Sequence, residues 1–464
     1  MMKIDKQIGL HLAFIMALVA RSLYLFAFHD QITSFNYEIY YGQTALNLLS
    51  GQGLAVNDEH RAAVNKLTGR RKLVDPYKWP PANPANNYYT AVETPGYTWY
   101  LSLLWSMVAK PTFLIPQCLQ VLLVSLLVYP IYGIGRRLYD KRVGLLAAWF
   151  FAFWLPSAYL TQTVTKEPFE MILPITMLWL AVSYWQEPRK WKLLFVILLF
   201  TLSVFFRANL LITLGMFAFF SIPTFGLRRV LKVTLLAYGF LILALVPWYL
   251  RNKYVVGNPV LLKDNFYFTV YCGLCKYEPS YLGLVNEEGK DANGVILKQY
   301  RNYDIESRPV VQAIIRERPL WFAGTVIRRF AWTLVMPLDW GYRIMPEEAR
   351  SAAAFRQHTG KGRLGYFKAH PIFFVAKNTA RLIEVFLFPL VLFALWIRRR
   401  DWRSWLILGG YYIGFVAAYA TMTVESRYIV PHTWPVLILA AVGVLWFWDF
   451  FKKRNPVSIR SGQV

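Results

Sequence analysis

Cysteine is scarce in this chain: three among 464 residues, too few for a disulfide scaffold. Acids are scarce as well, 26 Asp and Glu against 51 Lys and Arg, for a formal charge of +25 at pH 7. Internal repeats, heptad arrays and low-complexity tracts are missing. So are the paired broken helices of inverted-repeat transporters. What abounds is apolar: 56% of residues are hydrophobic, 17% are aromatic, and the mean hydropathy is +0.34. Soluble domains lie nearer about 45–50% apolar. The composition therefore predicts an all-α polytopic membrane protein.

The basic residues sit in short clusters between apolar runs, which is a topology signal and not a nucleic-acid-binding face. Apolar runs of spanning or near-spanning length fall at 9–28, 116–134, 143–160, 169–185, 191–206, 208–222, 230–250, 373–397, 404–421 and 429–450. That is about ten transmembrane helices, at about 20 residues each. The run Gly9–Phe28 holds Arg21 and lacks a small-residue cleavage site, so it is read as a retained anchor. The clusters Arg136/Arg137/Lys141/Arg142, Arg189/Lys190/Lys192, Arg228/Arg229/Lys232, Arg398/Arg399/Arg400/Arg403 and Lys452/Lys453/Arg454 all fall on one side if both termini are cytoplasmic. That solution needs Tyr97–Val108 and Trp321–Val335 to lie in the outer interface.

The resulting organisation is an anchor span (1–28), a first outer loop (29–115), a transmembrane core (116–250), a large outer loop (251–372) and C-terminal spans with a cytoplasmic tail (373–464). A bacterial inner membrane with the outer loops facing the periplasm is the expected setting.

With this topology, Glu38, Glu93, Glu167 and Glu425 come from four separate connections to the same outer face. Each alone reads equally well as an ordinary loop carboxylate. Arg21, Lys166, Arg207 and Arg427 lie at that level too. Arg21 is the costliest, an ionisable group inside a span; it either snorkels, pairs with an acid or binds a lipid phosphate. Carboxylates beside cations suit chemistry on a lipid-linked phosphate, with a base for the acceptor and cations for the leaving group. Glu38 and Glu167 are the acids open to a divalent ion such as Mg or Mn. Tyr37, Tyr40, Tyr41, Tyr88, Tyr89 and Tyr97 read as an interfacial aromatic belt, with sugar stacking as the alternative. Cys272 and Cys275, in CGLC, suggest a local disulfide; a zinc site would need two more ligands.

The order of motifs resembles the C-type (GT-C) polytopic glycosyltransferases, in particular the protein O-mannosyltransferase-like and aminoarabinose-transferase-like family. The resemblance rests on Arg21 late in the first span, and on Glu38 followed by Tyr41, Ala45, Leu48, Leu49, Gly51 and Gly53. It continues with Pro95-Gly96-Tyr97, GRRLYDKRVGLLAAWFFAFWLP, Glu167-Pro168, RNKYVVGNPV and SRYIVPHTWPVLILAA. Relatives carry Asp near Asn36 or Tyr37; here the acid is Glu38, with Glu93 as its rival.

The resemblance implies an inverting transferase that takes a sugar from a polyprenyl-phosphate carrier to an acceptor lipid, glycan or protein. Glu38 would be the base or acceptor-orienting group and Glu167 the second acid, with Arg21, Arg207, Lys166 and Arg427 holding the phosphate. A transporter or flippase of a lipid-linked saccharide is the second reading, but it requires polar residues at the bilayer midplane. A glycan ligase or polymerase of related architecture is the third.

Overall fold

The computed structural model describes residues 6–29, 37–68, 73–263, 265–281, 303–335, 386–387, 389–397, 399, 402–422 and 426–454. Within them the chain is almost wholly helical. From the start come α1 (Lys6–Phe28), α2 (Tyr37–Leu49), α3 (Asp58–Thr68), α4 (Gly96–Ser106), α5 (Leu114–Leu126) and α6 (Val128–Leu138). Next are α7 (Lys141–Ala152), α8 (Leu155–Gln162), α9 (Glu167–Gln186), α10 (Lys190–Phe206), α11 (Leu211–Phe225) and α12 (Leu227–Arg251). Then follow α13 (Phe266–Cys275), α14 (Tyr303–Glu317), α15 (Pro319–Val335), α16 (Trp402–Thr421), α17 (Ser426–Ile429) and α18 (Trp434–Arg454). The one sheet among the described residues pairs β1 (Ala55–Val56) with β2 (Tyr88–Tyr89), antiparallel.

Local chemistry fixes the helix ends. Asp140 caps α7 by accepting from the backbone N–H groups of Arg142 and Val143. Gly226, at φ +84°, makes the turn from α11 to α12, a conformation that costs glycine little. Pro168 occupies the first turn of α9, where its missing N–H is harmless.

Six described helices are long and apolar enough to cross a membrane, or seven if the bent pair α7–α8 is one span. The chain is a multi-pass membrane protein, and among the described residues these helices number fewer than the ten spans expected. Helix α10 has 17 residues, and the apolar part of α16, Trp405–Thr421, is equally short. Seventeen residues rise only about 26 Å, at the lower limit for a span. Most of the run 373–397 lies outside the described residues.

The bend between α7 and α8 is 51°, and Arg21 holds it. Its Nη2 donates to Phe151 O (3.0 Å) and Ser157 Oγ (2.6 Å), and its Nη1 to Ala152 O (3.2 Å). The guanidinium also lies 4.8 Å from the Phe151 ring centre. A broken helix frees carbonyls that apolar surroundings cannot satisfy, and this buried arginine supplies the donors.

A second, smaller core joins α2, α4, α9 and α10: Tyr41, Tyr97, Phe169 and Phe206 are all buried in it. Phe169 stacks on Phe206 at 4.2 Å, and Tyr41 meets Tyr97 edge-on at 4.9 Å. This corrects the aromatic-belt expectation for Tyr41 and Tyr97. They are core residues because α2 and α4 pack face to face, whereas Tyr89 is exposed.

Candidate anion-binding active site

Above this core is a cavity of about 50 Å³. A water needs about 10–15 Å³ of such space, so a phosphate-sized group fits. The walls come from segments remote in sequence: the turn before α4, the head of α9, the residues after α10, those before α13, and α17. They bring together four cations, Lys166, Arg207, Lys263 and Arg427, and two carboxylates, Glu93 and Glu167.

The ion pairs form two groups. Lys166 closes directly on Glu93, both nearly buried. Arg207 closes directly on Glu170 and approaches Glu167 Oε1 with Nη1 at 3.5 Å. Arg427 reaches the same Glu167 oxygen at 3.9 Å. Tyr428 lies between the arginines, its ring centre 4.6 Å from the guanidinium carbon of Arg207 and 4.8 Å from that of Arg427. Two guanidiniums over one ring are held by cation–π attraction. The hydroxyl of Tyr428 also accepts from Arg427 Nη2 at 2.8 Å.

Burial works to raise the Glu93 carboxyl, but Lys166, then Lys263 and Arg207, hold it below its ordinary value. It is therefore ionised. Lys263 is half-buried. Lost hydration pushes it down to about 8 against the pull of Glu93, and Lys166 and Arg207 push the same way. An anion entering the cavity would relieve that crowding.

Of the residues singled out in the sequence, Glu93, Lys166, Glu167, Arg207 and Arg427 line this cavity. Glu38 does not. It is buried in the first turn of α2, close enough to Tyr97 to act on its phenol electrostatically. Arg21 also stands apart. Both of its NH groups are engaged by carbonyls and Ser157 at the α7–α8 bend, which corrects its expected contact with a lipid phosphate. Cys272 and Cys275 are thiols on one face of α13, not a disulfide; Cys275 points into the core. Glu425 lies outside the described residues.

Sequence reasoning missed Glu170, Lys263 and Tyr428. Glu170 had a signal, its position one turn after Glu167 at the start of a helix. Lys263 had none, because nothing local ties the segment before α13 to the cavity.

Among the described residues no three His, Cys, Asp or Glu side chains come together. Glu167 lies within 4 Å of both Arg207 and Arg427. Four cations against two carboxylates suit an anion.

No protein-family model and no curated protein matches this sequence. Solved structures do. The Archaeoglobus fulgidus oligosaccharyltransferase tethered to an acceptor peptide containing the NVT sequon matches at TM-score 0.52 and 12% identity, over 98% of this chain and 51% of that one. The apo form matches at TM-score 0.50 and 14% identity, over 100% and 53%. The archaeal oligosaccharyltransferase AglB from Archaeoglobus fulgidus, in complex with an inhibitory peptide and a dolichol-phosphate, matches at TM-score 0.50 and 12% identity, over 99% and 52%. The chain thus spans about half the length of these structures. At such identity the likeness concerns the fold alone, which this chain shares with about half of those oligosaccharyltransferase structures.

Proposed function

We propose that this protein is a membrane glycosyltransferase that takes a sugar from a polyprenyl-phosphate carrier and transfers it, with inversion, to an acceptor hydroxyl. The carrying observation is the cavity where Lys166, Arg207, Lys263 and Arg427 converge beside Glu93 and Glu167. The fold shared with AglB supports the same class of donor, since that protein binds a dolichol-phosphate.

In the reaction the acceptor oxygen attacks the anomeric carbon as the bond to the carrier phosphate breaks. The electron pair leaves on that phosphate, whose charge grows by one. The arginines and lysines stabilise this growing charge, which strengthens their hold in the transition state over the ground state. The leaving phosphate requires no proton. The acceptor proton goes to a carboxylate, and Glu93 is our choice over Glu38. Glu93 lines the cavity, with Lys166 as its ion-pair partner, whereas Glu38 is not among the lining residues. Glu167 instead organises Arg207 and Arg427.

The positive-inside pattern supports a site on the outer, periplasmic face of an inner membrane, and an acceptor lipid, glycan or protein presented there. Purified Glu93→Gln and Glu38→Gln variants, given polyprenyl-phosphate sugar and acceptor, test the assignment. Loss of a general base lowers the rate by about 10²–10⁴. That loss is expected for Glu93→Gln; if it appears only in Glu38→Gln, the base is misassigned.

A further inference from the structure

Helix α8 ends at Gln162, and the chain runs extended through Thr163 (φ −72°, ψ 135°) before Lys166 and Glu167 begin α9. A helix end leaves carbonyls without helical partners. In an apolar interior each needs a donor. Two are met locally: Thr161 Oγ1 donates to Ala158 O (2.6 Å) and Thr163 Oγ1 to Leu160 O (2.7 Å).

The next three consecutive carbonyls are met by α5. Gln120 Nε2 donates to both Thr161 O and Thr163 O, at 2.9 Å each. Gln117 Nε2 donates to Gln162 O at 2.6 Å and to His29 O, just past α1, at 3.0 Å. The two glutamines lie one helical turn apart and are fully buried. The Gln120 carbonyl oxygen is used as well, accepting from Tyr97 OH at 2.9 Å. Tyr97 in turn is acted on electrostatically by Glu38 and Glu167.

We propose that Gln117 and Gln120 are positioning residues that hold the 161–166 segment against α1, α4 and α5, and so place Lys166 and Glu167 in the cavity. Their role rests on the reading of that cavity as a glycosyl-transfer site. A primary amide suits the task because it has two N–H donors in one plane and an oxygen left over. One Gln120 side chain can therefore bridge two carbonyls and receive Tyr97 at once. A methionine offers none of this, and an ionised glutamate would oppose both carbonyls.

The test compares Gln120→Met, Gln120→Glu and Tyr97→Phe in the full-length chain. In Gln120→Met, kcat is expected to fall by about 100-fold, the effect of roughly 1 Å of misplacement. Hydrogen exchange across residues 163–167 should quicken. Tyr97→Phe removes only the hydroxyl that orients the amide, and should lose less. The discriminating readout is the pH profile of Gln120→Glu. A protonated carboxyl can donate to one carbonyl, so this variant regains activity towards acid and loses it as the carboxyl ionises. Gln120→Met shows no such shift.

Wild-type kcat in Gln120→Met, or a Gln120→Glu profile that overlays the wild type, would overturn the proposal. Unchanged exchange at 163–167 would do the same. If the wild type transfers no sugar yet Gln120→Met quickens that exchange, the reaction assignment fails and the positioning role stands.

Discussion

Arg207 makes its shortest ion pair with Glu170, one helical turn along α9 from Glu167. Glu170 does not line the cavity, whereas Arg207 does. Glu170 thus anchors an arginine that lines the cavity without lining it itself. Removing one partner of a buried pair strands the other charge, at a cost of about 3–5 kcal/mol. Glu170→Ala should accordingly lower the unfolding temperature in detergent and raise the donor KM. An unchanged melting curve would show that the pair is not buried as described.

The two arginines share Tyr428. Tyr428→Leu deletes both cation–π contacts, each worth about 0.5–2 kcal/mol, and the hydroxyl that Arg427 uses. Donor KM should rise by about tenfold or more, since 1.4 kcal/mol is a factor of ten. The fold should hold, because Tyr428 is only partly buried. Titrating polyprenyl phosphate against the two proteins checks this; equal affinity would count against the arginine pair.

Lys263 gives the cavity a pH dependence whose sign can be worked out. Its value is pushed down to about 8 by burial and neighbouring cations, and a bound phosphate anion raises it again. Binding is therefore strongest below about 8 and weakens as pH rises through that value, until the raised pKa of the bound state is reached. Lys263→Arg keeps the charge and should flatten this limb of the donor KM profile. A wild-type KM that is constant across the range contradicts the assignment.

The three cysteines are thiols, so a thiol reagent should label all three after denaturation without prior reduction. A reducing agent should leave transfer unchanged. A pair that reacts only after reduction would restore the Cys272–Cys275 bridge.

Much of this arrangement was legible in the sequence because charge in a membrane protein is expensive. The outward turns carrying Lys166–Glu167, Arg207 and Arg427 stood out against apolar runs, and all of them meet in the cavity. Arg21 stood out for the same reason, but its burden is structural: it caps carbonyls freed at a helix bend 130 residues away. No periodicity reports that bend. Glu38 drew attention as a lone acid among tyrosines; it is buried in the first turn of α2, while Glu93 lines the cavity. Among the described residues fewer than ten spans are counted, because α10 and the apolar part of α16 are 17 residues long and most of 373–397 lies outside those residues. Gln117 and Gln120 were silent, since two glutamines in an apolar helix carry no signal until the carbonyls they meet are known.

The central claim is tested most directly by following both halves of the donor in proteoliposomes that contain the purified protein. With a polyprenyl-phosphate sugar labelled in the sugar, and an acceptor supplied, the account predicts label in the acceptor and an equal amount of free polyprenyl phosphate. Glu93→Gln should lower both together. Labelled donor that crosses the bilayer intact, with no free carrier phosphate formed, would contradict it and make the protein a transporter.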